Sequence, residues 1–141
     1  AGPPLPRRGK VLITVTDDDK PSILEPARLF KEMGFGIQAT RGTHAFLKKN
    51  GIQTVLVKKL GFGRPDLVDA IKTGDVALVV NTPSGSQSQQ DDAHIRKTAI
   101  RYHIPEVTTP AAALAAAKGI AARKRGQDAL CTLQSYVRAI R

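Results

Sequence analysis

The stretch "ATRGTHAFLKKNG" at residues 39–51 sets Thr40 and Thr43 around Gly42, where a strand gives way to a helix. Hydroxyls, a glycine and the first N–H groups of a helix are what holds a phosphate oxygen. The helix start supplies partial positive charge and the glycine lets the backbone come close. Three other stretches carry related chemistry: "TDDDK" with Lys20, the pair Lys58 and Lys59, and "NTPSG" with Asn81 and Thr82. Each also has an ordinary structural explanation. Thr43 fits a helix N-cap, a lone lysine is commonly a solvated charge, and Asn-Thr-Pro-Ser-Gly is turn chemistry. Neither a G-x-x-x-x-G-K-[ST] loop nor a G-x-G-x-x-G fingerprint occurs.

Residues suited to catalysis are sparse. His44, His94 and His103 have no metal-ligand spacing with Cys131 or with one another, so no metal site is expected. Asp91 and Asp92 are accounted for by the dipole of the helix they open. "DDD" at 17–19 reads as a solvated loop that caps the next helix, ahead of a cation site. No serine sits in a nucleophile elbow. Nothing in these residues calls for an enzyme.

The elements that must position them alternate regularly. The apolar run 11–15, "VLITV", reads as a strand buried on both faces. Ser22 and Glu25 form a capping box for a helix striped by Leu24, Leu29, Phe30 and Met33. Pro26 is expected to weaken only its first turn, and Gly34 ends it. Then come a strand over 36–40, a helix over 43–50 stopped by Gly51, a strand over 54–59, and a helix over 65–73. A strand over 76–81, a helix over 91–103, a strand over 104–109 and helices over 111–122 and 127–140 complete the pattern. This is α/β: a three-layer Rossmann-like domain with an about five-stranded, mainly parallel sheet and helices on both faces. Ligands of such sheets lie beyond the carboxyl ends of the strands. The four polar stretches fall on that edge, at four successive strand ends. Together they suit an anion, most naturally a phosphate.

Bulk properties narrow the partners. At 141 residues the chain fits one domain. Its apolar runs are too short to cross a bilayer, and its opening lacks the apolar core of a secretory signal. A single cysteine, Cys131, excludes an internal disulfide and fits a reducing cytoplasm. The net charge of +10 is concentrated at the ends, in Arg7, Arg8 and Lys10 and in six basic residues against Asp128 beyond position 117. The two tyrosines and four phenylalanines are scattered. Neither nucleic acid nor a membrane is expected as a partner. "AGPPLPRRGK", residues 1–10, reads as a Pro/Gly linker from a preceding domain. The body is expected over 11–122, with a helical extension over 123–141.

"VLITVTDDDK", "MGFGIQATRGTHAFLKKNGI", "VKKLGFGRPDLVDAIKTG" and "ALVVNTPSG…IRKTAIRYHIPEVTT" together resemble the methylglyoxal-synthase-like domain that ends the carbamoyl phosphate synthetase large subunit. The resemblance covers about residues 10–122. It implies a cytoplasmic allosteric domain, not itself an enzyme, within a glutamine-hydrolysing, ATP-dependent ligase of pyrimidine and arginine biosynthesis. Its nucleotide effectors would be UMP as inhibitor and IMP as activator. Its partners would be the rest of the large subunit and the small glutaminase subunit, and self-association is compatible with it. ATP, magnesium and potassium would belong to the rest of the enzyme, with no cofactor in this domain. The effector phosphate carries over onto Lys20, Thr40, Gly42, Thr43 and Lys59, and the base and ribose onto Thr14, Asn81, Thr82 and Pro83. Thr108 matches a threonine near the ornithine site of ornithine-responsive enzymes. Two departures stand out. Pro83 replaces a threonine, removing a hydroxyl and an N–H. Arg64 stands where methylglyoxal synthase, the rival within the fold, has its catalytic aspartate, and a permanently protonated arginine cannot be that base. A third reading, an N-acetylglutamate-responsive domain, is opposed by Lys59, which suits a phosphate.

Overall fold

The computed structural model of the chain describes residues 9–59, 66–73, 75–82 and 89–140, with side chains for all of these except 89–91 and 127–140. Pro83 and Arg64 therefore lie outside the described residues. The elements run β1 (Lys10–Thr14), a one-turn 3-10 helix (Asp17–Asp19), α1 (Lys20–Glu32), β2 (Gly36–Ala39), α2 (Arg41–Lys49) and β3 (Val55–Leu56). They continue as α3 (Leu67–Lys72), β4 (Val76–Asn81), α4 (Gln89–Arg101), β5 (Glu106–Val107) and α5 (Pro110–Ile140).

All five strands are parallel, in the order β3-β2-β1-β4-β5. The order reverses direction between β1 and β4, the switch point at which open α/β sheets leave a crevice beyond the strand ends. Period-two alternation in β1 explains the three layers. Val11 and Ile13 face one core with Ile23, Ala27 and Phe30 of α1, Leu47 of α2 and Ala113, Ala117 and Ile120 of α5. Leu12 faces the other, with Leu67, Ala70 and Ile71 of α3 and Ile95 of α4. Strand β4 serves both, Leu78 and Val80 on the first side and Val79 on the second. A register shift against β1, from Lys10↔Val76 to Val11↔Leu78, turns Val76 to the same side as Val79. Gly9 adjoins this bulge at φ +123°, where a Cβ would stand 3.0 Å from Ala77 Cβ. That position needs glycine.

Several local expectations are corrected. Helix α1 begins at Lys20, directly after the 3-10 turn, with Pro21 in its first turn and no side-chain cap, so Ser22 and Glu25 do not form a capping box. The earlier start puts Pro26, which is buried, in the second turn. Its missing N–H leaves the Ser22 carbonyl without its helical donor. Strand β3 is two residues long, followed by an isolated Lys58–Asp66 bridge, because the chain leaves the edge of the sheet there. The two helices expected after residue 110 are one, since Arg123, Lys124 and Arg125 are good helix formers and one glycine, Gly126, does not break the run. Lys124 ties α5 to the body: its Nζ donates to the Met33 carbonyl at 2.8 Å, closing the end of α1, and lies 5.4 Å from the Phe35 ring centroid.

Candidate functional site

A cleft of about 700 Å³ opens at the carboxyl ends of β1, β2 and β4. Thr14, Lys20, Thr40, Gly42, Thr43, Lys59, Asn81 and Thr82 all line it. Strand-end residues from four stretches of the sequence are thus gathered around one space, while Lys58, expected beside Lys59, is not among its walls. Thr108 is not among its walls; it follows β5 on the same edge of the sheet.

The corner between β2 and α2 is built differently from the sequence reading. Thr40, not Thr43, occupies the N-cap position, with extended backbone at ψ 163°, and its side chain makes no capping bond. Its hydroxyl donates instead to Thr14 Oγ1 at 3.1 Å. Thr43 is the third helical residue, and its Oγ1 accepts from the Val15 N–H at 3.3 Å. Both threonines are buried, at 2% and 1% exposure, so they knit the end of β1 to the start of α2. With no side chain capping it, the first turn of α2 meets the cleft with its N–H groups and the positive end of its dipole. A carbon added at Gly42 would lie 3.3 Å from Lys20 Nζ, so glycine here makes room for that ammonium.

Lys20 pairs with Asp17, three residues earlier. The hydrogen bond and charge of Lys20 hold the exposed Asp17 carboxyl below its ordinary value, and Lys59 adds a weaker pull in the same direction. Two ammonium groups therefore act on one mouth of the cleft. The loop after β1 is fastened to β4: the Thr82 N–H donates to the Thr14 carbonyl at 3.1 Å, and Thr82 Oγ1 accepts from the Thr16 N–H at 2.9 Å. A hydroxyl that accepts still has its own proton to give.

On the opposite side Asn81 meets two carboxylates, of which Asp92 lines the cleft and Glu106 is not among its walls. Asn81 Nδ2 donates to Asp92 Oδ1 at 3.2 Å and, at 3.5 Å, to Glu106 Oε2. Burial pushes the Glu106 carboxyl above its ordinary value, against the opposing pull of Asn81 and Arg96. Arg96 Nε approaches Glu106 Oε1 at 3.5 Å. Sequence reading assigned Asp92 to the helix dipole and passed over Glu106. The available signal was topological: α4 follows β4 directly, so its first turns must hang over the strand ends that hold the ligand. Ile95 and Leu67 supply apolar wall.

The arrangement suits a ligand with an anionic end at Lys20, Lys59 and the α2 start, and with hydrogen-bonding groups at the Asn81 side. Among the described residues no three histidines, cysteines or carboxylates come together as a metal-ligand set. None of their helices is long and apolar enough to cross a membrane. Asp66, the nearest carboxylate in sequence to Arg64, accepts from the Asp69 N–H at 2.9 Å in a capping box with Asp69 that opens α3. It is not among the residues lining the cleft.

Residues 22–108 match the family described as the MGS-like domain. The carbamoyl phosphate synthase large chain, C-terminal section, of Aquifex aeolicus is 43% identical over 125 residues, which is 89% of this chain and 23% of that one. The large chain of Methanothrix thermoacetophila is 42% identical over 137 residues, covering 97% of this chain and 13% of its own length. That of Gemmatimonas aurantiaca is 44% identical over 137 residues, or 97% and 12%. The chain thus spans less than a quarter of the length of these relatives. With the five-stranded parallel sheet and a match over most of the sheet-forming region, the chain belongs to the MGS-like domain family and is similar to a part of carbamoyl phosphate synthase large chains.

Proposed function

We propose that the chain is the regulatory part of a carbamoyl phosphate synthase large chain and takes a nucleoside monophosphate, UMP or IMP, in the strand-end cleft. Carbamoyl phosphate synthesis for pyrimidines and arginine would be the activity it modulates. The observation that carries this reading is the uncapped start of α2, which adjoins the Lys20 ammonium and lines one cleft with Lys59. Backbone N–H groups, a helix dipole and two cations together favour a phosphate over a neutral ligand. Lys20, Thr40, Gly42, Thr43 and Lys59 would hold the phosphate, and Thr14, Asn81 and Thr82 the ribose and base.

Effector binding would draw the loops after β1 and β4 onto the ligand and change how this part packs on the remainder of the large chain. Allosteric coupling is typically about 1–3 kcal/mol, and one charge-assisted hydrogen bond contributes about 1.5–3 kcal/mol. One or two phosphate contacts made differently in two states therefore suffice. Catalysis within this chain is not part of the proposal, because Asp66, the carboxylate nearest the place of the family's base, serves as a helix cap outside the cleft.

Calorimetric titration with UMP, IMP and N-acetylglutamate, beside an assay for phosphate release from dihydroxyacetone phosphate, tests it. Saturable nucleotide binding below millimolar is the expected result. Binding of N-acetylglutamate alone would transfer the site to a dicarboxylate effector. Turnover of dihydroxyacetone phosphate would overturn the regulatory reading.

A further inference from the structure

Asn81 ends β4 with its carboxamide between two carboxylates, Asp92 from α4 and Glu106 from β5. An ionised carboxylate accepts hydrogen bonds and has none to give, so it draws the amide nitrogen and repels the amide oxygen. The orientation of the amide is therefore fixed by chemistry, not merely by fit. Asp92 meets Nδ2 at 3.2 Å and Glu106 at 3.5 Å, so the NH2 group, which has two protons to give, faces two acceptors. Glu106 is steadied in turn by Arg96 at 3.5 Å. Asn81 is 5% exposed and the Glu106 side chain 10%, so little solvent competes for these contacts. With its nitrogen committed, what Asn81 can offer a ligand in the cleft it lines is its carbonyl oxygen.

We propose that Asp92 and Glu106 are positioning residues that turn Asn81 into a fixed acceptor, so that the site selects a ligand presenting a hydrogen-bond donor at the end remote from its anionic group. In the nucleotide reading, on which this inference rests, that donor is the lactam N–H of a base or a ribose hydroxyl. A ligand lacking it strands a largely buried carbonyl against an apolar group or another acceptor, and such an unmet acceptor is costly. The selectivity comes from the carboxylates, since an asparagine released from them turns its NH2 or its oxygen inward as the ligand requires.

Two measurements decide it. In the 15N-labelled chain, the Asn81 side-chain signals, assigned by their loss in Asn81→Ser, should exchange with solvent at least tenfold more slowly than in Asp92→Ala/Glu106→Ala. Calorimetry then compares UMP and IMP with 3-methyl-UMP and 1-methyl-IMP, which lack the lactam N–H, and with the 2′- and 3′-deoxy nucleotides, which lack one hydroxyl. Loss of one of these donors should weaken binding at least tenfold. N-methylation identifies the base as the source, and deoxygenation the ribose. In the double variant that ratio should fall below threefold, while inorganic phosphate binds as before. The proposal is overturned if no single donor matters, if the double variant keeps the selectivity, or if Asn81 exchanges equally fast in both proteins. Should the double variant not fold, Asp92→Asn/Glu106→Gln, which keeps the shape of both side chains, takes its place in both comparisons. If UMP, IMP and inorganic phosphate all fail to bind, the nucleotide reading falls and takes this one with it; if nucleotides bind without donor selectivity, the positioning role alone falls.

Discussion

Lys20 and Lys59 face the same cleft under different constraints. The Lys20 side chain is 13% exposed, paired with Asp17 and fitted against Gly42, so replacing it disturbs the corner as well as the charge. Lys59 is exposed, and its reach into the site shows in its pull on Asp17. Lys59→Ala should therefore cut nucleotide affinity at least tenfold while leaving stability within about 0.5 kcal/mol, the usual range for surface substitutions. Equal loss of affinity and melting temperature would make Lys59 a structural residue. Glu106 calls for a different measurement. Its pKa in the folded chain is raised, chiefly by burial, so the folded state binds a proton more readily than the unfolded one. Its contribution to stability is then fully present below the ordinary glutamate value of 4.5 and is lost as pH rises through the folded value. Denaturant melts across that interval should show stability falling with pH more steeply in the native chain than in Glu106→Gln. Parallel slopes would show that Glu106 titrates alike in both states.

Among the elements, α5 carries the plainest test. Gly126 lies inside this continuous helix, and a carbon added there meets nothing within 4 Å. Glycine in a helix interior costs roughly 1 kcal/mol relative to alanine, so Gly126→Ala should raise stability by up to about that amount. A fall would show that the helix bends or is contacted there. The same helix illustrates what the sequence disclosed. The apolar runs of β1 and β4 were legible as buried strands because few other elements place five or six such residues in a row, and alternation with helices then dictated the parallel sheet. Termini were less legible. Ser22 and Glu25 had the right spacing for a capping box, yet the 3-10 turn formed by Asp17–Asp19 already launches α1 at Lys20. Thr43 looked like a cap, but Thr40 takes that position and spends its hydroxyl on Thr14, a contact between two strand ends that local spacing cannot reveal. The strand-end rule recovered the cationic wall of the cleft because its residues adjoin their strands in sequence. The carboxylates that hold Asn81 escaped, since Asp92 is eleven residues and Glu106 twenty-five from Asn81.

Across the whole molecule, the charge is arranged along the order of the sheet. Counted from the sequence, the central part of the chain has little net charge, which argued against a basic face. The fold divides that average. Residues 36–59, which form β2, α2 and β3 on one side of the switch point, contain Arg41, Lys48, Lys49, Lys58 and Lys59 and no carboxylate. On the other side, the side chains of Asp92 in α4 and of Glu106, the first residue of β5, both reach Asn81. Asp17, Asp18 and Asp19 also line the cleft, so the pull on the negative end of a ligand comes from the basic β2–β3 side. This polarity predicts how binding responds to salt. The Debye length shrinks from about 10 Å at 0.1 M to about 3 Å at 1 M, so the attraction of exposed Lys59 and its basic neighbours for a phosphate is progressively screened. Raising salt from 0.05 M to 0.5 M should weaken UMP or IMP binding at least threefold, mainly through slower association, and should leave uridine or inosine, which lack the phosphate, nearly unaffected. Lys59→Ala should flatten the dependence for the nucleotides. A nucleoside with the same salt dependence as its monophosphate would place the charge recognition somewhere other than the mouth formed by Lys20, Lys59 and the start of α2.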